Sequence, residues 1–353
     1  MSLNKMKQLF ALRIWIIDNS GSMQKADGHR ILPTKNRGAV NMVPCSRWEE
    51  IQECVDYHIK LAGLIEAPTR FRFLNNPGAN VGPQQFSVAE NPERTAQDVQ
   101  QALSIMRSAR PGGCTPLTSH ILEIHQEISR MAPELRRTGK RVVLVIATDG
   151  LPTDERGYAG PEYSQEFVDA LRLLEGLPIW MVIRLCTDEE QVVSFYNDLD
   201  SQLELSLEVL DDFSGEAQEV IGENPWVNYA LPLHRLREMG YHDRVFDLLD
   251  ERLLTKTEVR DFCELLFGEQ SFDGVADPSL DWSAFLDDIQ RMLRSETSQW
   301  VSETRMSLLL VYKYAFTRLG SHMLQDPVKR KLRAWIDTRK LNSIYGPNSC
   351  IIL

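Results

Sequence analysis

Little in this sequence points to a disulfide scaffold, a zinc centre, nucleic acid or a membrane span. The six cysteines (Cys45, Cys54, Cys114, Cys186, Cys263 and Cys350) are scattered and form no C-x-x-C pair. That excludes a disulfide framework or zinc ribbon and fits a reducing compartment. The seven histidines form no H-x-x-x-H pair. Basic excess is missing too: 39 Lys and Arg stand against 50 Asp and Glu, a net charge of -11. Such a chain has no surplus with which to neutralise phosphates, so nucleic acid is not expected as a partner. The first apolar stretch begins only at Leu9 and is broken by Arg13, which is not a secretory signal. The longest late apolar run, Leu308 to Tyr312, meets Lys313 and is far too short to cross a bilayer. These absences lead us to expect a cytoplasmic protein that is not integral to a membrane.

What remains is ordinary globular material. The chain has 353 residues, 43% hydrophobic and 25% charged, enough for two domains. Its organising stretch is Ile14-Trp15-Ile16-Ile17-Asp18-Asn19-Ser20-Gly21-Ser22-Met23. A short apolar run bounded by turn residues reads as a buried strand, with the polar cluster at its carboxyl end. In open α/β sheets ligands bind there. One Asp and two Ser around a Gly offer only hard oxygen donors, a set suited to Mg²⁺, Ca²⁺ or Mn²⁺.

Two distant segments supply matching parts. Pro111-Gly112-Gly113-Cys114-Thr115-Pro116-Leu117 sets a threonine hydroxyl on a Gly-rich turn before a helical pattern. Arg141 to Ala147 is a second apolar strand, running into Thr148-Asp149-Gly150. Asp-x-Ser-x-Ser, an isolated Thr and Thr-Asp-Gly after a strand, in that order, resemble the von Willebrand factor type A domain over roughly residues 9 to 222. The resemblance implies a metal-ion-dependent adhesion site. Ser20 and Ser22 would bind the ion directly, Thr115 directly in one conformation, and Asp18 and Asp149 directly or through water. It further implies an electrophilic ion that takes an Asp or Glu of a protein partner as its last ligand. The bland alternative is that Asp18 and Asp149 cap turns or helices while the serines bond locally.

Taken in order, Leu9 to Ile17 is a strand, and Gln24 to Ser46 is a long connection without periodicity of its own. That connection carries Lys25, Arg30, Lys35 and Arg37 against Asp27, and reads equally as an insertion or as a ligand-selecting loop. Ser46 is a candidate N-cap for a helix Trp48 to Ile65. Strands are expected at Phe71 to Phe73, Gln85 to Val88 and Pro178 to Leu185, with a further alternating stretch at Glu204 to Leu210. Helices are expected at Thr95 to Ser108, after Thr115, at Gln165 to Leu174 and at Asp188 to Leu199. Strands alternating with such helices argue for an α/β fold, a doubly wound, mainly parallel, Rossmann-like sheet covered on both faces. From about Asn224 only helical spacing recurs, with no further strand, and Asp281 to Arg294 and Gln299 to Leu319 read as two more amphipathic helices. We therefore expect a metal-binding domain over 1–222, a helical domain or extension over 223–340, and a flexible tail over 341–353.

The tail ends Cys350-Ile351-Ile352-Leu353, which resembles a CaaX prenylation box of the geranylgeranyl type. Upstream lie Lys329, Arg330, Lys331, Arg333, Arg339 and Lys340 against Asp326 and Asp337. A lipid on Cys350 plus a basic segment would place the protein at a cytoplasmic membrane surface. Catalysis is the weaker class: an aspartyl phosphotransferase needs a second acid two residues after its nucleophile, and position 20 is Ser. The expected function is non-enzymatic: divalent-cation-dependent capture of an acidic protein partner. A Mg²⁺-dependent phosphoryl-transfer enzyme and a structural scaffold with a vestigial site are the alternatives.

Overall fold

Strand β1 (Phe10–Ile17) lies between β4 (Thr69–Phe73) and β6 (Arg141–Thr148) and is parallel to both. The structure, a computed structural model, describes residues 10–33, 40–299, 324–326, 328 and 331–347. With β5 (Gln85–Val88), β7 (Ile179–Leu185) and β8 (Leu207–Leu210), these strands form one six-stranded sheet in the order β5-β4-β1-β6-β7-β8. Only the β4–β5 pair is antiparallel. The expected α/β class and mainly parallel sheet are what the chain adopts.

The two central strands carry apolar runs, Ile14 to Ile17 and Val142 to Ala147, because both of their faces are covered. Side chains alternate across a strand, so neighbours go to opposite layers. Ile14, Ile16, Val142, Leu144 and Ile146 pack under α3 (Leu117–Thr138), α4 (Pro161–Arg172) and α5 (Glu190–Gln202). Trp15, Ile17, Val143, Val145 and Ala147 pack under α1 (Arg47–Leu64) and α2 (Thr95–Ser108). The register Ile17↔Phe73 and Ile17↔Ala147 ends β1, β4 and β6 at one level, which brings the loops after them together.

The connection from Gln24 to Ser46 departs from expectation. Instead of an aperiodic loop it holds an antiparallel ribbon, β2 (Gly28–Pro33) against β3 (Val40–Cys45). Each strand is only six residues long and carries a proline, Pro33 or Pro44. Prolines are tolerated in a two-stranded ribbon because each strand has an open edge; on the sequence they masked the strand pattern.

After α6 (Phe213–Glu223) come α7 (Leu231–Glu238), α8 (Arg244–Glu251), α9 (Lys256–Phe267) and α10 (Trp282–Gln299). Their core around Trp226, Phe262 and Phe285 is continuous with Leu61, Ile65 and Ala67 at the end of α1. Contrary to expectation this region also holds two three-residue strands, β9 (Leu324–Asp326) and β10 (Lys331–Arg333). They are too short to show a period-2 signal. A last helix, α11 (Thr338–Tyr345), buries Leu341 and Tyr345 within the stretch expected to form a flexible arm. Much of the expected helix Gln299 to Leu319 lies outside the described residues.

Candidate metal centre

Asp18 follows the last residue of β1 and is fully buried. Its Oδ1 accepts the Ser20 backbone N–H at 2.8 Å, and its Oδ2 accepts the Thr148 hydroxyl at 2.6 Å. Ser20 then takes an extended conformation and caps a 3-10 turn, Gly21–Gln24. That turn places Ser22 Oγ 2.9 Å from Ser20 Oγ, and Ser22 donates to Asp149 Oδ1 at 2.7 Å. Four of the five expected ligand positions thus lie in one hydrogen-bonded chain across the ends of β1 and β6.

The fifth, Thr115, is delivered by the Gly-rich turn. Gly112 N–H donates to Asn19 O at 2.7 Å, and Gly21 N–H donates to Gly113 O at 3.1 Å, so the first two loops are stitched backbone to backbone. Thr115 is tied to the third loop: its N–H donates to Thr153 Oγ1, and Thr153 N–H donates to Thr115 O, both at 3.0 Å. The Thr115 hydroxyl lies beside Gly150, close enough that a Cβ there would stand 3.7 Å from it. Among the described residues it has no hydrogen-bond partner. Cys350 lies outside the described residues.

The electrostatics of the two carboxylates differ. Burial and the nearby Asp149 push the Asp18 carboxyl up to about 6, against the lowering by Thr148 and Ser20. Among the described residues Asp18 has hydrogen-bond donors but no cationic side chain beside it; Asp149 has one. Arg47, 1% exposed, sets Nη1 2.9 Å from Asp149 Oδ2. Its other nitrogens reach Asp27 (2.7 and 2.6 Å) and Glu189 (2.8 Å). Burial opposes the Arg47 charge, and the three carboxylates more than restore it. The same guanidinium holds the carboxyls of Asp27 and Glu189 below their usual range, in Glu189 after the contact with Lys25. A cleft of about 240 Å³ opens on the far side of Arg47, between Asp27, Glu50, Asp188, Glu189 and Asp212.

A hard divalent cation suits this donor set. Two hydroxyls and two carboxylates lie in one bonded chain with the Thr115 hydroxyl on the adjoining loop, all of them hard oxygen donors, and a buried carboxylate with no counter-charge beside it is a costly group that a cation relieves.

Several supporting residues escaped the sequence reading. Asn75 bridges the loops: its N–H donates to Asn19 Oδ1 (2.8 Å), its Oδ1 accepts from Cys114 N–H (3.2 Å) and its Nδ2 donates to Cys114 O (2.7 Å). Tyr196 holds Gly150 O at 2.9 Å. For Arg47 a signal existed. A basic residue at the first position of a helix opposes the helix dipole and calls for an acidic partner.

A second polar cluster lies beneath α1. Cys54, His58 and Glu238 bring their ligand-type atoms within 4.8 Å of one another. His58 Nε2 is 2.9 Å from Glu238 Oε2, and Cys54 Sγ 3.3 Å. Glu238 Oε1 and Oε2 also accept from Arg235 Nη1 at 2.7 and 2.8 Å, and Arg184 Nε stands 3.5 Å from Oε1. With Arg13, whose charge bears on His58, three buried guanidiniums here face only two carboxylates among the described residues, Glu238 and Glu50. A divalent ion would add to a positive excess, so the cluster reads as an internal ion network.

No protein-family model matches the chain, and no curated protein matches it at a significant level. Among the described residues no helix is long and apolar enough to cross a membrane.

Proposed function

We propose that this chain is a divalent-cation-dependent protein-binding module of the von Willebrand A kind. The observation that carries the reading is the fully buried Asp18, joined through Ser20 and Ser22 to Asp149 and with no cationic side chain beside it among the described residues. Ser20, Ser22, Thr115, Asp18 and Asp149 would hold the cation, and the cation would supply an electrophilic position for an Asp or Glu carboxylate of a protein partner. Five protein donors leave a sixth position on a six-coordinate ion for water or a partner carboxylate. Chelation of Asp18 also removes the cost of its buried charge.

Calorimetric titration of the full chain with Mg²⁺, Mn²⁺ and Ca²⁺ tests the reading. We expect saturable binding that is lost in Asp149→Ala and Asp18→Ala. Thr115→Ala should abolish capture of an acidic peptide with the fold intact. A folded wild-type chain that gives no heat with any of the three ions would end the metal reading.

A further inference from the structure

We propose that Arg47 sets which cation the Asp18–Asp149 site accepts, holding Asp149 to a single free oxygen and so favouring Mg²⁺ and Mn²⁺ over Ca²⁺. The inference rests on the metal-binding reading above. It follows from an account of carboxylate oxygens. Asp18 Oδ1 is engaged by a backbone N–H, which cannot rotate away, and Oδ2 by the buried Thr148 hydroxyl. Asp149 Oδ1 meets only the Ser22 hydroxyl, whose proton is free to turn elsewhere. Asp149 Oδ2 is held by Arg47 Nη1, and Arg47 is itself fixed through Nε and Nη2 to both oxygens of Asp27 and to Glu189. A guanidinium anchored on three sides presents Nη1 in one direction.

Each carboxylate therefore has one oxygen held by a fixed N–H and one whose partner is a hydroxyl that can turn away, which disfavours bidentate binding. Ca²⁺ takes six to eight oxygens, commonly with a bidentate carboxylate, whereas Mg²⁺ is satisfied by six single oxygens including water. Three hydroxyls, one oxygen from each carboxylate, and water or a partner carboxylate meet the smaller demand. Because Asp27 and Glu189 already balance the Arg47 charge, its effect on the ion is one of geometry more than of field. Arg47 is thus a positioning residue: it acts through Asp149.

The test is the ratio of Mg²⁺ to Ca²⁺ affinity of the full chain, measured calorimetrically with the metal salts alone. Wild type should prefer Mg²⁺. Arg47→Met and Arg47→Lys, checked for folding by circular dichroism, should shift the ratio toward Ca²⁺ by about tenfold or more, the usual scale for groups that orient metal ligands. If neither Arg47 variant folds, the double variant Asp27→Asn with Glu189→Gln, at two exposed positions, loosens the same guanidinium and should shift the ratio the same way. Lys25→Ala removes a nearby charge that touches Glu189 but not Asp149, and should leave the ratio unmoved. Equal affinities in wild type, an unchanged ratio in the folded Arg47 variants, or an equal shift in Lys25→Ala would overturn the role of Arg47 while leaving metal binding standing. No binding of any ion by folded wild type would overturn both.

Discussion

His58 Nε2 donates to Glu238 Oε2 at 2.9 Å, and this bond joins α1, on the central sheet, to α7 in the C-terminal helical region. Burial would raise the Glu238 carboxyl, yet Arg235 and His58 hold it well below its usual range, so it is ionised. Burial keeps His58 neutral by lowering its imidazole. The carboxylate is the anion that Arg235 binds, and it adds to Glu50 as counter-charge for Arg184. Glu238→Gln would leave those guanidiniums buried against too little negative charge. Breaking a buried pair by removing one partner costs about 3–5 kcal/mol. Urea unfolding should show a loss of that order with the fold retained in water; a loss of a few tenths would mean that water or rearrangement compensates.

Asp18 gives a pH dependence with a definite sign. Its carboxyl is raised from 3.8 to about 6 in the folded chain without cation. Between those values the native state holds a proton that the unfolded state has released, so this group's contribution to stability falls as pH rises from about 4 to about 6. At roughly 1.4 kcal/mol per pKa unit, the folded chain loses about 3 kcal/mol over that window. Asp18→Asn abolishes the effect, because its amide satisfies Thr148 and Ser20 without charge. In chelator, the variant should match wild type near pH 4 and exceed it above pH 6, while binding no Mg²⁺. Parallel stability curves for the two proteins across this range would refute the assignment.

Gly113 sits where the second loop crosses Asn75. Its φ of +98° is a left-handed conformation, and a Cβ there would lie 2.4 Å from Asn75 Oδ1. Gly113→Ala should cost about 1–3 kcal/mol through backbone strain and displace Thr115, weakening cation binding. Gly112→Ala is the matched control, since a Cβ there meets nothing within 4 Å. If the two variants bind Mg²⁺ alike, the Asn75 contact does not position Thr115.

How much of this was legible in the sequence follows from the range of each interaction. The strands into Asp18 and Asp149 announce themselves because β1 and β6 are covered on both faces, so Ile14 to Ile17 and Val142 to Ala147 are apolar throughout. The three candidate ligand segments are local motifs, and their meeting follows from the order of a parallel sheet. The residues that fix their geometry were hidden. Asn19 and Asn75 are 56 positions apart, and their bond depends on the register of β1 with β4. Arg47 and Asp149 are 102 apart. Cys54 and His58 lie on the face of α1 beside Ile51, Val55 and Ile59, where four-residue spacing reads simply as core. Their partner on α7 has no trace in either segment.

The expected flexible arm overlaps the part of the chain that locks the helical region. Asn228 N–H donates to Trp335 O at 2.9 Å, and Asp337 N–H to Trp226 O at 2.8 Å, so the two segments pair around Val227 and Ile336. Helix α11 then lays Tyr345 against Trp282, with ring centres 5.4 Å apart, and its hydroxyl donates to Leu254 O at 2.5 Å. Two changes at Tyr345 separate packing from hydrogen bonding. Tyr345→Phe keeps the ring and leaves the Leu254 carbonyl with one partner fewer, which should cost about 1 kcal/mol. Tyr345→Ala also empties the pocket beside Trp282 and should cost about 3–5 kcal/mol, the range for large aromatic truncations. Urea midpoints with unchanged slopes would report both losses as changes in stability alone. A Tyr345→Ala variant as stable as wild type would show instead that α11 contributes nothing to the fold and belongs with the arm.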